Sequence, residues 1–344
     1  MKLRSNCMDV IFRVSAVLML LMPLFSCVHE WPELPAGREV KLVVHHELPW
    51  RLFEYSYRQG TRAGGDENVA VRYIYEVYPA GSTEVPVARY TQVRDDLSLS
   101  DFSTTLDLPA GEYDVYVWSD FIDKDSEQSL YYDASTLSAV KVRMPYAGDT
   151  ELKDAFQGMF TACVPLSADE DVSAEFEVTL RRPLTAYAFL STDLEEFIEQ
   201  ETRRLGLPAI EGGDMTRYPE VDFSRYKVRM RYPGYVPVEY SVFRNRPTDS
   251  ASGLYYEGNI RVVSHDEVLL GFDYFFINGQ ESSINVGIDI FDPEGEQVAS
   301  VASVTIPVER NRATIVRGDF LTSKAHGGIG INPDFDGDYN IEIK

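Results

Sequence analysis

Val69-Ala70-Val71-Arg72-Tyr73-Ile74-Tyr75-Glu76-Val77-Tyr78 decides the fold. Val69, Val71, Tyr73, Tyr75 and Val77 fall on one side, and Ala70, Arg72, Ile74, Glu76 and Tyr78 on the other. A period of two is the signature of a strand. The same period recurs in Tyr113–Trp118, Glu175–Leu180 and Ile284–Ile290. Each run is expected to be half-buried, with one face on a core and one in water. The chain holds 21 Tyr and 18 Phe, residue types that suit sheets. Turn signals separate the runs. Leu108-Pro109-Ala110-Gly111 precedes one strand, and Asn278-Gly279 predicts a hairpin. Asp292-Pro293-Glu294-Gly295 predicts a turn leading into Val298–Val308. Short strands punctuated in this way predict a mainly β chain of antiparallel sandwiches rather than βαβ units.

One helix interrupts the strands. Thr192-Asp193-Leu194-Glu195 fits a capping box, with Thr192 as N-cap and Glu195 reaching back. Leu194, Phe197, Ile198 and Leu205 share a face, Gly206 caps the end and Pro208 blocks continuation. The pattern predicts a helix over Asp193–Leu205. A second, shorter helix is expected over Leu152–Gln157.

The N-terminus carries an export signal. Lys2, Arg4 and Arg13 precede the apolar run Val14–Met22. That run is too short to span a bilayer and has the length of a signal-peptide core. Leu24-Phe25-Ser26-Cys27 closes it as a lipobox, which predicts acylation of Cys27 and cleavage in front of it. Several acyl chains on one cysteine hold a protein durably on a membrane. The formal net charge is −23, and the leader removes more positive than negative charge. Such a surface repels nucleic acid and anionic headgroups, so membrane contact is expected through the lipid. Cys7 leaves with the leader and Cys27 takes the lipid, so Cys163 has no partner for an internal disulfide. It reads as a small buried hydrophobe.

The expected division is a signal peptide over 1–26, a tether over 27–37, an N-terminal sandwich over 38–182, a C-terminal sandwich over 183–325 and a Gly/Asp-rich tail over 326–344. The segments 59–68 and 211–220 read as long loops. No zinc spacing, nucleophile elbow or phosphate-binding glycine loop is present. His45 and His46 are neighbours in a strand, so they point to opposite faces and cannot share a metal. Asn332-Pro333-Asp334-Phe335-Asp336-Gly337-Asp338 offers a weak calcium candidate in Asp334, Asp336 and Asp338. The twelfth position is Ile343 rather than Glu, so a plain acidic turn is preferred and no metal or cofactor is expected.

Several segments resemble the fimbrillin-like lipoproteins of Bacteroidales, which include type V pilus subunits and anchors. They are the lipobox at Cys27; Thr61-Arg62-Ala63; Leu108–Tyr113 with Val117-Trp118-Ser119-Asp120; Tyr131-Tyr132 and Asp154-Ala155-Phe156; Arg182–Ala186 with Thr192-Asp193-Leu194; and Ile306–Asn311 with Thr314–Thr322. The resemblance implies two tandem transthyretin-like sandwiches and no enzyme activity. It implies a lipid-anchored outer-membrane protein at the cell surface, with other fimbrial subunits as partners and no small-molecule substrate. Subunits of that family join by strand donation, in which an open sheet edge accepts a foreign strand. Polymerising subunits are cleaved after an arginine, for which Arg62 is the candidate. A donor strand is expected in Tyr339, Ile341 and Ile343, which alternate with polar neighbours; a final strand closing its own sheet is the competing role. The alternative function is a carbohydrate-binding lipoprotein beside a glycan importer, stacking sugars on exposed aromatics.

The lipobox makes a direct prediction. Cys27→Ser abolishes acyl labelling and leaves unprocessed precursor. A normally labelled, membrane-bound mutant would overturn the assignment.

Overall fold

The computed structural model describes residues 38–47, 68–165, 175–207, 222, 225–264 and 267–322. These all fall in one compact unit, Leu34–Lys344. Four sheets account for the strands. The first has the order β4-β1-β9, with β1 Arg38–His46, β4 Phe102–Leu108 and β9 Glu175–Leu180. The second is β3-β2-β5-β8, with β2 Val69–Pro79, β3 Ala88–Arg94, β5 Gly111–Asp123 and β8 Ala155–Val164. Side chains from these two sheets share one core, built on Val40, Leu42, Val44, Tyr73, Tyr75, Val77, Val115, Val117 and Leu180.

The third sheet is β13-β14-β10-β17, from β10 Leu184–Ser191, β13 Arg261–Val262, β14 Val268–Phe276 and β17 Ala313–Gly318. The fourth runs β16-β15-β11-β7-β6, with β12 pairing the other edge of β11. Its strands are β6 Tyr132–Asp133, β7 Val140–Val142, β11 Lys227–Ser241, β12 Arg246–Asn259, β15 Glu281–Phe291 and β16 Gln297–Glu309. These two sheets enclose a second, larger core. The expected mainly β sandwich architecture is present. Two pairings depart from antiparallel order: β1 with β9 and β10 with β17 run parallel.

The half-buried expectation fails for the stretch that suggested it. Val71, Tyr73, Tyr75 and Val77 enter the first core, while Ile74 and Tyr78 enter the second. Neither face of β2 is left to water. The small segments β6 and β7 precede β8 in the chain, yet β7 pairs with β11.

Of three local expectations, two are corrected and one holds. Asn278-Gly279 does not close a hairpin: β14 and β15 belong to different sheets, and Gly279, at φ +85°, turns the chain from one to the other. Asp292–Gly295 does close one, between β15 and β16; the Asp292 carboxylate accepts from the amides of Glu294 and Glu296. The second helix is a single 3-10 turn, Glu151–Lys153, because Thr150 caps Leu152 and β8 begins at Ala155.

The main helix, α1, spans Leu194–Arg204, with Asp193 rather than Thr192 at its N-cap and no side-chain capping bond. Both polar side chains are diverted. Thr192 bonds Asp319, and the Asp193 carboxylate accepts from Ser191, Leu321 and Thr322. They fasten the exit of β17 instead of the helix start. The C-terminus follows the expectation: Gly206 at φ +67° lets its amide reach the Arg203 carbonyl and that of Leu207 reach Thr202, the two bonds of a Schellman motif. Leu194, Phe197 and Ile198 are buried as expected, but Leu205 is exposed.

Cys163 is also exposed, contrary to the expectation. Ala162 and Val164 occupy the core positions of β8, so the strand period turns Cys163 outward.

At Gly158 the first two sheets approach closely. A Cβ there would lie 2.7 Å from Val178 and 2.8 Å from Leu180 on β9. Gly158→Ala is expected to force these strands apart and cost about 1–3 kcal/mol in urea unfolding. A neutral effect would show that the contact can relax.

Candidate assembly site

The first strand sits in the middle of its sheet. On one edge Val40, Leu42 and Val44 stand opposite Leu106, Thr104 and Phe102. On the other, Leu42, Val44 and His46 stand opposite Phe176, Val178 and Leu180. The apolar residues of β1 alternate by two, so Val40, Leu42 and Val44 all reach the core and are almost fully buried. Pairing along only one edge would have let β1 peel away; pairing along both requires every bond on either side to be exchanged. Without β1, two facing strand edges and three apolar pockets would remain, which is the chemistry that captures an extended segment.

The two histidines end this strand as expected, on opposite faces. His45 Nδ1 lies 2.8 Å from the Asp101 carboxylate at the surface. His46 is buried edge-on to Tyr73 and Phe156, with its Nε2 3.1 Å from the Tyr73 hydroxyl. Burial pushes the imidazole down to about 4.

The link between the two sandwich halves is tied down by charge. Arg182, buried, donates from Nε to both oxygens of Asp154 at 2.9 and 2.8 Å and lies over the Phe156 ring. The backbone of Arg181 exchanges two 2.8 Å bonds with Gln157. Nearby, the only charged residue of β14, Asp273, lies at a fully buried polar centre. Its Oδ1 accepts from Lys153 Nζ at 2.7 Å and from the Tyr274 amide at 2.8 Å. Its Oδ2 accepts from the hydroxyls of Tyr146, at 2.7 Å, and Tyr232. Tyr187 continues the network to Tyr232 at 2.6 Å. Burial pushes the Lys153 ammonium down. It also pushes the neighbouring Asp149 up to about 6, against the opposing effect of its partner Arg261. Sequence reasoning missed this centre. The signal was a lone acid within the otherwise apolar run Val268–Phe276.

Cys27, Arg62, Asp334, Asp336, Asp338, Tyr339, Ile341 and Ile343 lie outside the described residues. Among the described residues no cluster of three or more His, Cys, Asp or Glu is arranged to hold a metal. Among them, too, no helix is long and apolar enough to cross a membrane. Tyr235 and Tyr255 are exposed on β11 and β12, but Arg229 already stacks over Tyr255.

The family of unknown function DUF6562 matches residues 35–344. The chain belongs to that family. No curated relative matches it. Among solved structures, it is similar to a Bacteroides thetaiotaomicron protein provisionally named as polysaccharide binding (DUF1812). The identity is 12%, the TM-score 0.43, and 76% of this chain and 80% of that one are covered. It is also similar to the fimbrial anchor protein Mfa2 of Porphyromonas gingivalis, at 14% identity and TM-score 0.36, covering 77% and 82%. A third is the tip fimbrial protein Mfa3 of the same organism, C-terminally truncated, at 11% identity and TM-score 0.38, covering 81% and 94%.

The buried histidine sets a pH dependence. In the unfolded chain an imidazole takes its proton near 6.5, whereas folded His46 takes it only near 4. The unfolded state therefore binds more protons in this window, and stability present above pH 6.5 is lost as pH falls toward 4. Asp149 acts with the opposite sign, since its raised folded value favours the native state at low pH and that contribution fades as pH rises through 6. Comparing melting curves of the wild type with His46→Gln isolates the histidine. The wild type is expected to lose about 2 kcal/mol more than the variant across the window. Parallel curves would show that the imidazole titrates freely.

Proposed function

We propose that this protein is a fimbrial subunit or anchor, held by lipid on Cys27 at the outer membrane and joined to its neighbours by strand replacement. The observation that carries the reading is the position of β1. β1, the first strand among the described residues, is the middle strand of its sheet, and it is tied to the rest of the chain through the segment that contains Arg62. Cutting that segment would leave β1 held by hydrogen bonds and apolar contact alone. An incoming strand with apolar residues at alternate positions would satisfy the same edges and pockets. The fimbrillin-like motifs from Cys27 to Thr322 support the reading from the sequence side. In an anchor β1 stays in place and the lipid holds the base; in a subunit β1 leaves.

An arginine-specific protease tests the reading. It is expected to nick the chain at Arg62 before any site within the sheets. Because β1 is paired on both edges, the nicked chain should remain monomeric until mild denaturant displaces β1, and should then form oligomers. Deleting Tyr339–Lys344 should reduce them. If Arg62 resists cleavage, the anchor role stands in place of the subunit role. If chains emptied of β1 do not associate, strand replacement is wrong for both.

A further inference from the structure

We infer that Lys153 and Asp273 are joined by an intramolecular amide bond formed after folding. The inference stands on the local geometry and does not depend on the fimbrial reading. The two side chains are 1% and 0% exposed, with Lys153 Nζ 2.7 Å from Asp273 Oδ1. The other lysine–carboxylate pairs among the described residues are hydrated. Lys41–Glu175, Lys124–Asp95 and Lys141–Glu239 all have side chains open to solvent. Among the described lysines, only Lys153 meets its carboxylate in a dry core.

Charge makes the site reactive. A buried ion pair forfeits the hydration of both partners, and Coulomb attraction repays that only in part. Burial already favours the neutral amine of Lys153. Condensation removes both charges, leaving a neutral amide and releasing one water. The hydrogen bond from Nζ to Oδ1 supplies the path for the first proton, turning the ammonium into a free amine and Oδ1 into a hydroxyl. The amine lone pair then attacks the carboxyl carbon, and the C–N bond forms. Negative charge develops on Oδ2, where the Tyr146 and Tyr232 hydroxyls already donate. Two preset donors on the oxygen that gains charge are the arrangement that stabilises an acyl-transfer intermediate. The second proton moves from nitrogen to Oδ1, the C–Oδ1 bond breaks, and water leaves. The product carbonyl, on Oδ2, keeps both tyrosine hydrogen bonds. No oxidant, metal or cofactor enters the balance.

Position also favours reaction. Lys153 ends a 3-10 turn, and its own carbonyl accepts from Tyr132 at 2.6 Å. Its ammonium rests over the Tyr146 ring, 3.9 Å from the centroid. Asp273 lies on β14, paired with β10 on one edge and β13 on the other. Both reactants are thus held on anchored backbone, which is how a slow bimolecular condensation becomes an intramolecular one.

Intact-mass measurement of the purified mature chain, unfolded in denaturant, tests the inference. The expected mass is one water below that calculated for the same processed, acylated chain without the bond. Proteolysis should yield a branched peptide joining the segment of Lys153 to that of Asp273. Lys153→Arg should restore the full mass, and Tyr146→Phe with Tyr232→Phe should give freshly made protein a mixture of bridged and unbridged chains. If the lysine variant does not fold, the wild-type branched peptide decides alone. A wild-type chain at full mass, or a water lost without that branched peptide, would overturn the inference and leave a buried ion pair.

Discussion

Neither face of β2, nor of the middle of β5, is left to water, and much of the architecture follows from that constraint. Tyr73, Tyr75, Val115 and Val117 feed the first core; Ile74, Tyr78, Tyr116 and Trp118 feed the second. Polar residues on the second face must therefore be paired inside the protein, because an unpaired buried charge costs several kcal/mol or more. Arg72 clasps Asp120 through two bonds of 2.9 and 2.7 Å. Glu76 accepts from Arg89, from the Tyr78 hydroxyl at 2.9 Å and from the Leu137 amide at 3.2 Å. The last bond draws the segment after β6 over the sheet, where Tyr132 packs edge-on to Trp118. The doubly covered middle of one sheet thus recruits the segments that seal it.

The same economy governs the polar residues near the sandwich link. Asp154 pairs with Arg182, while Lys153, the preceding residue, pairs with Asp273. Successive side chains of one short turn hold the link on one side and β14 on the other. Buried, ion-paired groups at such a point tie the two cores together.

Much of the fold was legible because strand periodicity survives in local sequence. The alternation in β2, β5, β9 and β15 marked strands directly, and Gly206 marked the helix end. What escaped notice depended on distant partners. The second face of β2 carries Ile74 and Tyr78 beside Arg72 and Glu76, a mixture that looks solvated until the covering segment is known. Thr192 and Asp193 have the chemistry of helix caps, but Thr322 and Asp319 compete for them from the far end of the chain. Asn278-Gly279 has the composition of a hairpin turn whether or not the flanking strands share a sheet. Of the assembly site, the apolar alternation of β1 was visible, but its place between β4 and β9 was not, since β9 pairs with it across more than a hundred residues. The residues named for lipidation, cleavage and donation came from motifs outside the described segments.

The two parallel pairings have a mechanical consequence. β1 lies alongside β9, β17 lies alongside β10, and β9 and β10 are consecutive in the chain. A pull applied at Arg38 and at Gly318 runs along the strand axes. The hydrogen bonds of each pair then carry load together, in shear, instead of opening one after another as they would in a peeled hairpin. Tension entering at one end and leaving at the other meets its greatest resistance at β1 and β17, where the Asp193 clamp on Leu321 and Thr322 adds a further hold.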